Sequence, residues 1–304
     1  MKLLTYHYHG ADAVGVLSAD LRLGYPLSEL GFPYHSMQEL IERGTKEELA
    51  QIAAAANRGC AAPIPYGAVD RRSPIPLLRR DMICIGYNFR SHAEEIARLR
   101  GEAVETASIS YPIYFVKRTL FATSDGGEIP YFPGYATDLD CGVEVAVVIG
   151  KDALNVAEEQ VNDYIFGYTI ANDICDTRIN KAYTQPFLGK SLDGYMPVGP
   201  WIVTSDEFEE TPVFDLKLSV DGSVRQQGST RDLVFSIPYI VSELTRNMTL
   251  KAGTMISTGS PANLDAGDPD KLRLQPGNTI VCEIGGIGAL RNTIMEKPWG
   301  GIER

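Results

Sequence analysis

From about residue 80 onward the chain is divided into short apolar runs bounded by turn residues, the pattern of strands rather than of long helices. β-Branched and aromatic residues predict strands over 82–86, 114–117, 143–149, 164–172, 201–204, 215–220, 254–258 and 279–284. The alternation Leu216, Leu218, Val220 leads into Asp221-Gly222, a dipeptide that accepts the positive φ of a tight hairpin turn. Helical spacing is confined to 91–99, 157–161 and 237–245, the last opened by Ser236 with Pro238 in its first turn.

The first part of the chain reads differently. Residues 3–9 and 13–17 predict two strands, and Leu40, Ile41, Leu49 and Ile52 give 37–55 a helical period. Proline-rich stretches at 62–67 and 73–76 favour extended backbone. They divide a small α/β unit, residues 1–75, from a larger unit, residues 76–304. His7 and His9 share one strand face, but with no acidic or cysteine partner nearby in sequence they read as ordinary strand residues. No internal repeat or low-complexity segment interrupts either unit.

With 304 residues, 44% of them hydrophobic, the chain can supply a substantial core. Its 28 basic and 39 acidic residues leave a net charge of −11, which argues against a nucleic-acid surface; Arg71-Arg72 and Arg79-Arg80 are isolated pairs. The longest apolar run is too short to cross a bilayer, and MKLLTYHYHG lacks a signal-peptide core, so a cytoplasmic protein without membrane contact is expected. The five cysteines, at 60, 84, 141, 175 and 282, form no C-x-x-C pair and read as reduced thiols. Cys141 should point away from Glu144 and fill core, because strand neighbours face opposite sides.

Candidate chemistry follows this strand pattern in a set order. In Gly86-Tyr-Asn-Phe-Arg-Ser-His-Ala-Glu-Glu95, His92 and Glu95 lie three apart on a predicted helix and so share one face. A carboxylate on one imidazole nitrogen fixes the tautomer and leaves the other free to accept a proton. Glu144 is the only charge in an apolar strand, and burying it requires a cation, a lysine or a proton. Asp173 closes Phe166-Gly-Tyr-Thr-Ile-Ala-Asn-Asp173, and Lys190 opens Lys190-Ser-Leu-Asp193, followed by Pro197-Val-Gly-Pro-Trp201. Arg225-Gln-Gln-Gly-Ser-Thr230 and Thr258-Gly-Ser-Pro261 come later.

These segments, in this order over roughly residues 80–296, resemble the fumarylacetoacetate hydrolase family. The resemblance implies an α+β, mostly β fold, a rolled mixed β-sandwich with a small N-terminal α/β domain, and a homodimer. It implies catalytic roles for His92, Glu95 and Lys190, and substrate contacts from Lys117, Asn88, Thr258 and Ser260. The family's D-x-E-x-E strand supplies two metal-ligating glutamates, and an aspartate supplies a third ligand. Here Glu144 and Asp173 match two of these positions, while Gly142 stands where the first glutamate belongs. Mg²⁺ or Mn²⁺ suits such oxygen ligands, but Gly142 argues for weakened or absent binding. Asp140 is no replacement: it lies one pleat repeat away, about 6–7 Å, with a shorter side chain. Without a metal, Lys117 and Lys190 become the groups that hold a substrate carboxylate or a developing enolate.

The expected substrate is a small anionic 2-oxo or 1,3-dicarbonyl acid. The leading expectation is hydrolysis of a C–C bond, of the acylpyruvate or fumarylpyruvate type, through an enolate with the His–Glu dyad activating water. Metal-independent or weakly metal-dependent isomerisation, tautomerisation or decarboxylation is the alternative, and a non-catalytic binding protein of the same fold is the third reading. Substrate choice is expected from loops at 98–110 and 180–185.

Overall fold

A computed structural model describes residues 1–8, 10–59, 62–100, 109–183, 185–265 and 273–298. His9, Cys60, Thr184 and most of the 98–110 loop lie outside the described residues. No described helix is long and apolar enough to cross a membrane.

The centre of the fold is the strand Val143–Ile149, every residue of which is buried. It is flanked in one sheet by Ile165–Asn172 and Met255–Ser257, and each of its faces packs into a core, so the run has no polar side to show. The alternation survives as a choice between two cores. Val143, Val145, Val147 and Ile149 face one cluster, and Ala146 and Val148 face the other.

The first cluster is closed by a second sheet. Asp215–Val220, Ser223–Ser229, Thr279–Ile284, Gly288–Glu296 and Glu128–Tyr131 form five strands whose Leu216, Leu218, Ile280, Cys282 and Leu290 pack under the central strand. The two sheets make a sandwich, as expected. The second cluster is covered by the helix Met37–Arg43 through Met37, Leu40 and Ile41, and by Ile52.

The larger sheet has eleven strands among the described residues. Its N-terminal strands, Lys2–Tyr8, Ala11–Leu17 and Leu23–Pro26, join it through the pairing of Leu3 with Ile202 in Val198–Thr204. The first 75 residues therefore continue the main sheet, and the Met1 ammonium donates to Thr204 Oγ1 and Glu207 Oε1, each at 2.7 Å. At the far edge, Met82–Gly86 runs parallel to Met255–Ser257 and pairs with the edge strand Ile113–Lys117.

Several elements depart from the sequence expectation. The period over 37–55 is divided between Met37–Arg43 and Lys46–Arg58, because Gly44 ends the first helix and Thr45 with Glu48 forms a capping box that starts the second. The helix expected over 157–161 is instead a 3₁₀ helix, Glu158–Tyr164, whose N-cap Ala157 offers no capping side chain. The strand Gly288–Glu296 is missed because Asn292 occupies an inward position between Leu290 and Ile294; it is buried, donating to Ser124 O and Gly127 O. By contrast Ile237–Thr245 begins as read, with Tyr239 N donating to the Ser236 hydroxyl at 3.2 Å.

Candidate active site

Element ends from across the large sheet deliver a compact group of buried and partly buried charges. Lys117 ends the edge strand Ile113–Lys117 and is fully buried. Its ammonium donates to Asp173 Oδ1 and to Ile174 O, each at 2.7 Å. Lys190, at the end of the short helix Phe187–Lys190, donates to the other oxygen, Asp173 Oδ2. One carboxylate thus holds two ammoniums, and Lys117 spends its donors on protein groups rather than on open space.

Glu144 lies beside this group. Its Oε2 accepts from the Ser257 hydroxyl and, at 3.1 Å, from Gly259 N. Burial, and then the negative charge of Asp173, push Glu144 up to about 7; the Ser257 hydroxyl, Lys190 and Gly259 N–H oppose the shift. Burial acts on Asp173 in the same sense, but the two ammoniums outweigh it and hold its carboxyl well below the usual range. Burial lowers Lys190, yet Asp173 wins and keeps its ammonium charged far above neutrality.

The dyad forms as its spacing predicts. Within the helix Arg90–Arg100, His92 Nδ1 and Glu95 Oε2 are 2.8 Å apart. Glu95 is buried and the same oxygen accepts from Asn263 N at 3.3 Å, while Tyr87 packs on the imidazole at a centroid separation of 5.5 Å. Nε2 is the nitrogen left for chemistry.

The segment from Thr258 to Asn263 links dyad and charge group. Gly259 N reaches Glu144, Ala262 N donates to Ser91 Oγ at 3.3 Å, and Asn263 N reaches Glu95. Asn88 Nδ2 bonds Thr258 O at 2.9 Å and Phe235 O at 3.2 Å, while its Oδ1 accepts from Phe235 N at 2.9 Å. Its amide therefore braces two loops. Thr258 is wholly buried, and among the described residues its hydroxyl has no hydrogen-bond partner. Ser260 lies against Gly142.

Two features were not legible as site elements. In sequence Ser257 reads only as strand, and Gln226, inside Arg225-Gln-Gln-Gly-Ser-Thr230, accepts from Val143 N and donates to Cys141 O, bracing the approach to position 142. Asp140 is not on the strand of Glu144 at all: it belongs to a separate two-residue strand, Leu139–Asp140, paired with Cys175–Asp176. Burial pushes its carboxyl up to about 6, against the Cys141 N–H and the charges of His92 and Lys190. Cys141 is buried in the core between the sheets, and His7 does have an acidic partner nearby in sequence, Asp12 at 2.7 Å, which the Lys2–Tyr8/Ala11–Leu17 pairing places opposite it.

A divalent cation held as the sequence resemblance implies would need carboxylates from positions 142, 144 and 173. Position 142 offers none, and both oxygens of Asp173 are occupied by lysines. Among the described residues, no group of three or more His, Cys, Asp or Glu side chains is arranged to hold a metal ion. These residues do not fit one.

Two ammoniums on one carboxylate and a carboxylate-oriented histidine, linked by residues 258–263, are groups able to stabilise an oxyanion and to move a proton. Residues 81–295 match the family described as fumarylacetoacetate (FAA) hydrolase C-terminal. Oxaloacetate tautomerase YisK of Bacillus subtilis is 36% identical over 226 residues, 74% of this chain and 73% of that protein. A fumarylacetoacetate hydrolase structure from Exiguobacterium antarcticum superposes with a TM-score of 0.81 at 30% identity, covering 98% of this chain and all of the other. Maleylpyruvate hydrolase from Sphingobium sp. SYK-6, solved with manganese(II) and pyruvate, gives 0.74 at 25% identity over 97% of this chain and 99% of its own. The chain belongs to the fumarylacetoacetate hydrolase family, a family of enzymes whose similar members include both hydrolases and a tautomerase.

The shifted carboxyls give the fold a pH signature. Glu144 has a folded value raised from 4.5 to about 7, so the protonated form is favoured in the fold and its contribution is lost as pH rises through that interval. Asp173 acts oppositely, contributing above its unfolded value and losing its effect only in strong acid. Glu144→Gln should therefore flatten the fall in melting temperature between pH 4.5 and about pH 7. An unchanged slope in a pH series of thermal melts would refute this account of Glu144.

Proposed function

We propose that this enzyme interconverts the keto and enol forms of a small anionic 2-oxo acid, with a dicarboxylic acid such as oxaloacetate as the first substrate to test. The observation that carries the reading is the presence of both a charged Lys190, partly buried on Asp173, and a hydrogen-bonded His92–Glu95 dyad. The named activity of the Bacillus relative supports it, and the pyruvate bound by the Sphingobium protein supports the substrate class.

The chemistry needs a cation at one end of the reacting unit and a base at the other. As a 2-hydroxy-2-enoate becomes the 2-oxo acid, the enol O–H proton leaves to solvent and negative charge gathers on the C2 oxygen. The Lys190 ammonium stabilises that oxyanion, and Lys117 keeps Asp173 from withdrawing the charge entirely. The imidazolium of His92 delivers its proton from Nε2 to C3, where the electron pair of the C=C bond forms the new C–H bond. Glu95 stabilises the imidazolium and holds the ring in register. The reverse direction uses the same atoms.

Hydrolysis of a C–C bond is the second reading. It is favoured by the dyad itself, since a histidine able to take a proton from C3 can equally take one from water. Cleavage also demands expulsion of a carbanion equivalent, a harder task for ammoniums alone than proton transfer.

The exposed side chains Ile113, Val116, Leu120 and Phe121, on and just beyond the edge strand Ile113–Lys117, support self-association. A homodimer should appear by light scattering, and a mass equal to one chain at micromolar concentration would contradict it. For the chemistry, His92→Ala should lower the rate of enol absorbance loss by roughly 10²–10⁴-fold. Lys190→Met should lower it by about 10²–10³-fold. Full activity in either variant would remove the proposed role.

A further inference from the structure

Position 142 is not merely short of a side chain; the protein has closed over it. A Cβ added to Gly142 would stand 2.8 Å from Ser260 Oγ and 3.0 Å from Ser260 Cβ. Rotation of the serine hydroxyl relieves the first contact. The second is set by backbone, and that backbone is pinned. Thr258 N donates to Val145 O at 3.0 Å, Asn88 holds Thr258 O, and Gly259 N holds Glu144. Gly259 has φ +92°, a left-handed conformation that glycine tolerates, and its added Cβ would meet Ile85 O at 3.1 Å. Pro261 is wedged against Gly228, where a Cβ would approach the ring to 2.8 Å.

The facing side is equally fixed. Gly142 N donates to Asn172 Oδ1 at 3.3 Å, and Asp173 N donates to Gly142 O at 2.8 Å. A side chain here needs the Ser260 hydroxyl to rotate and Ser260 Cβ to give way by a few tenths of an ångström, a movement that the hydrogen bonds on both sides oppose. Beyond it, a divalent ion on Asp173 would have to displace or repel two ammoniums already seated on that carboxylate.

We propose that Ser260 closes the position a third metal-ligating carboxylate would need, and that the Lys190 ammonium on Asp173 supplies the site's positive charge in place of a divalent ion. The purpose of that charge rests on the enolate reading, but the closure does not. The test therefore reads metal binding and no activity, so failure of the tautomerase reading leaves its outcome intact.

The amplitude of the six-line paramagnetic resonance of aqueous Mn²⁺ reports the free ion. With the native protein present it should be undiminished, and Gly142→Glu should behave like the native chain. Gly142→Glu/Ser260→Gly, which removes the fixed Cβ contact, should show about a tenfold or greater gain in Mn²⁺ affinity over Gly142→Glu alone. Thermal melts establish that each variant is folded. Loss of signal with the native chain that Asp173→Ala abolishes would overturn the proposal. So would Gly142→Glu binding as tightly as the double variant, or a folded double variant that binds no better than Gly142→Glu. Should a variant fail to fold, the native measurement with its Asp173→Ala control still decides between an ion and an ammonium.

Discussion

The arrangement depends on one carboxylate carrying two ammoniums. Lys117 has no exposed surface, and a buried unpaired ammonium would cost several kcal/mol; Asp173 and the Ile174 carbonyl make its burial tolerable. The bond also has mechanical meaning. Asp173 follows the strand Ile165–Asn172, whereas Lys117 ends the edge strand on the far side of Val143–Ile149, Met255–Ser257 and Met82–Gly86. Charge pairing thus ties the sheet edge to its centre. With Glu144 holding a proton below about pH 7, the group of two lysines and two acids carries a net positive charge that an anionic substrate would neutralise.

Around that centre, the loop after Met255–Ser257 fixes the relation between charge and base. Residues 258–263 touch Glu144 at one end and Glu95 at the other, and Asn88 clamps the loop to the turn that opens the His92 helix. The proposed proton transfer needs the histidine and the ammonium to be held without search. The family's similar members include both hydrolases and a tautomerase, on one shared frame.

Much of this was legible where the information is local. His92 and Glu95 meet because three residues along a helix is one turn, and Val143–Ile149 reads as a strand because a doubly covered strand is apolar throughout. The helix break at Thr45 also had a local signal, Thr-x-x-Glu, which the apolar period over 37–55 obscured. The contacts that define the site are of another kind. Lys117 and Asp173 are 56 residues apart, Ser257 and Glu144 are 113 apart, and no periodicity relates them. The missing glutamate was visible at Gly142, but its closure by Ser260 was not, because it depends on how near two backbones run.

The most direct test is hydrogen exchange at C3 of a small 2-oxo dicarboxylic acid in D₂O, followed by proton NMR with the native protein under excess chelator. The account predicts enzyme-dependent loss of the C3 proton signal while the carbon skeleton stays intact. Exchange no faster than the uncatalysed rate until Mn²⁺ is restored would contradict the central claim that buried ammoniums, not a metal ion, sustain enolate chemistry in this site.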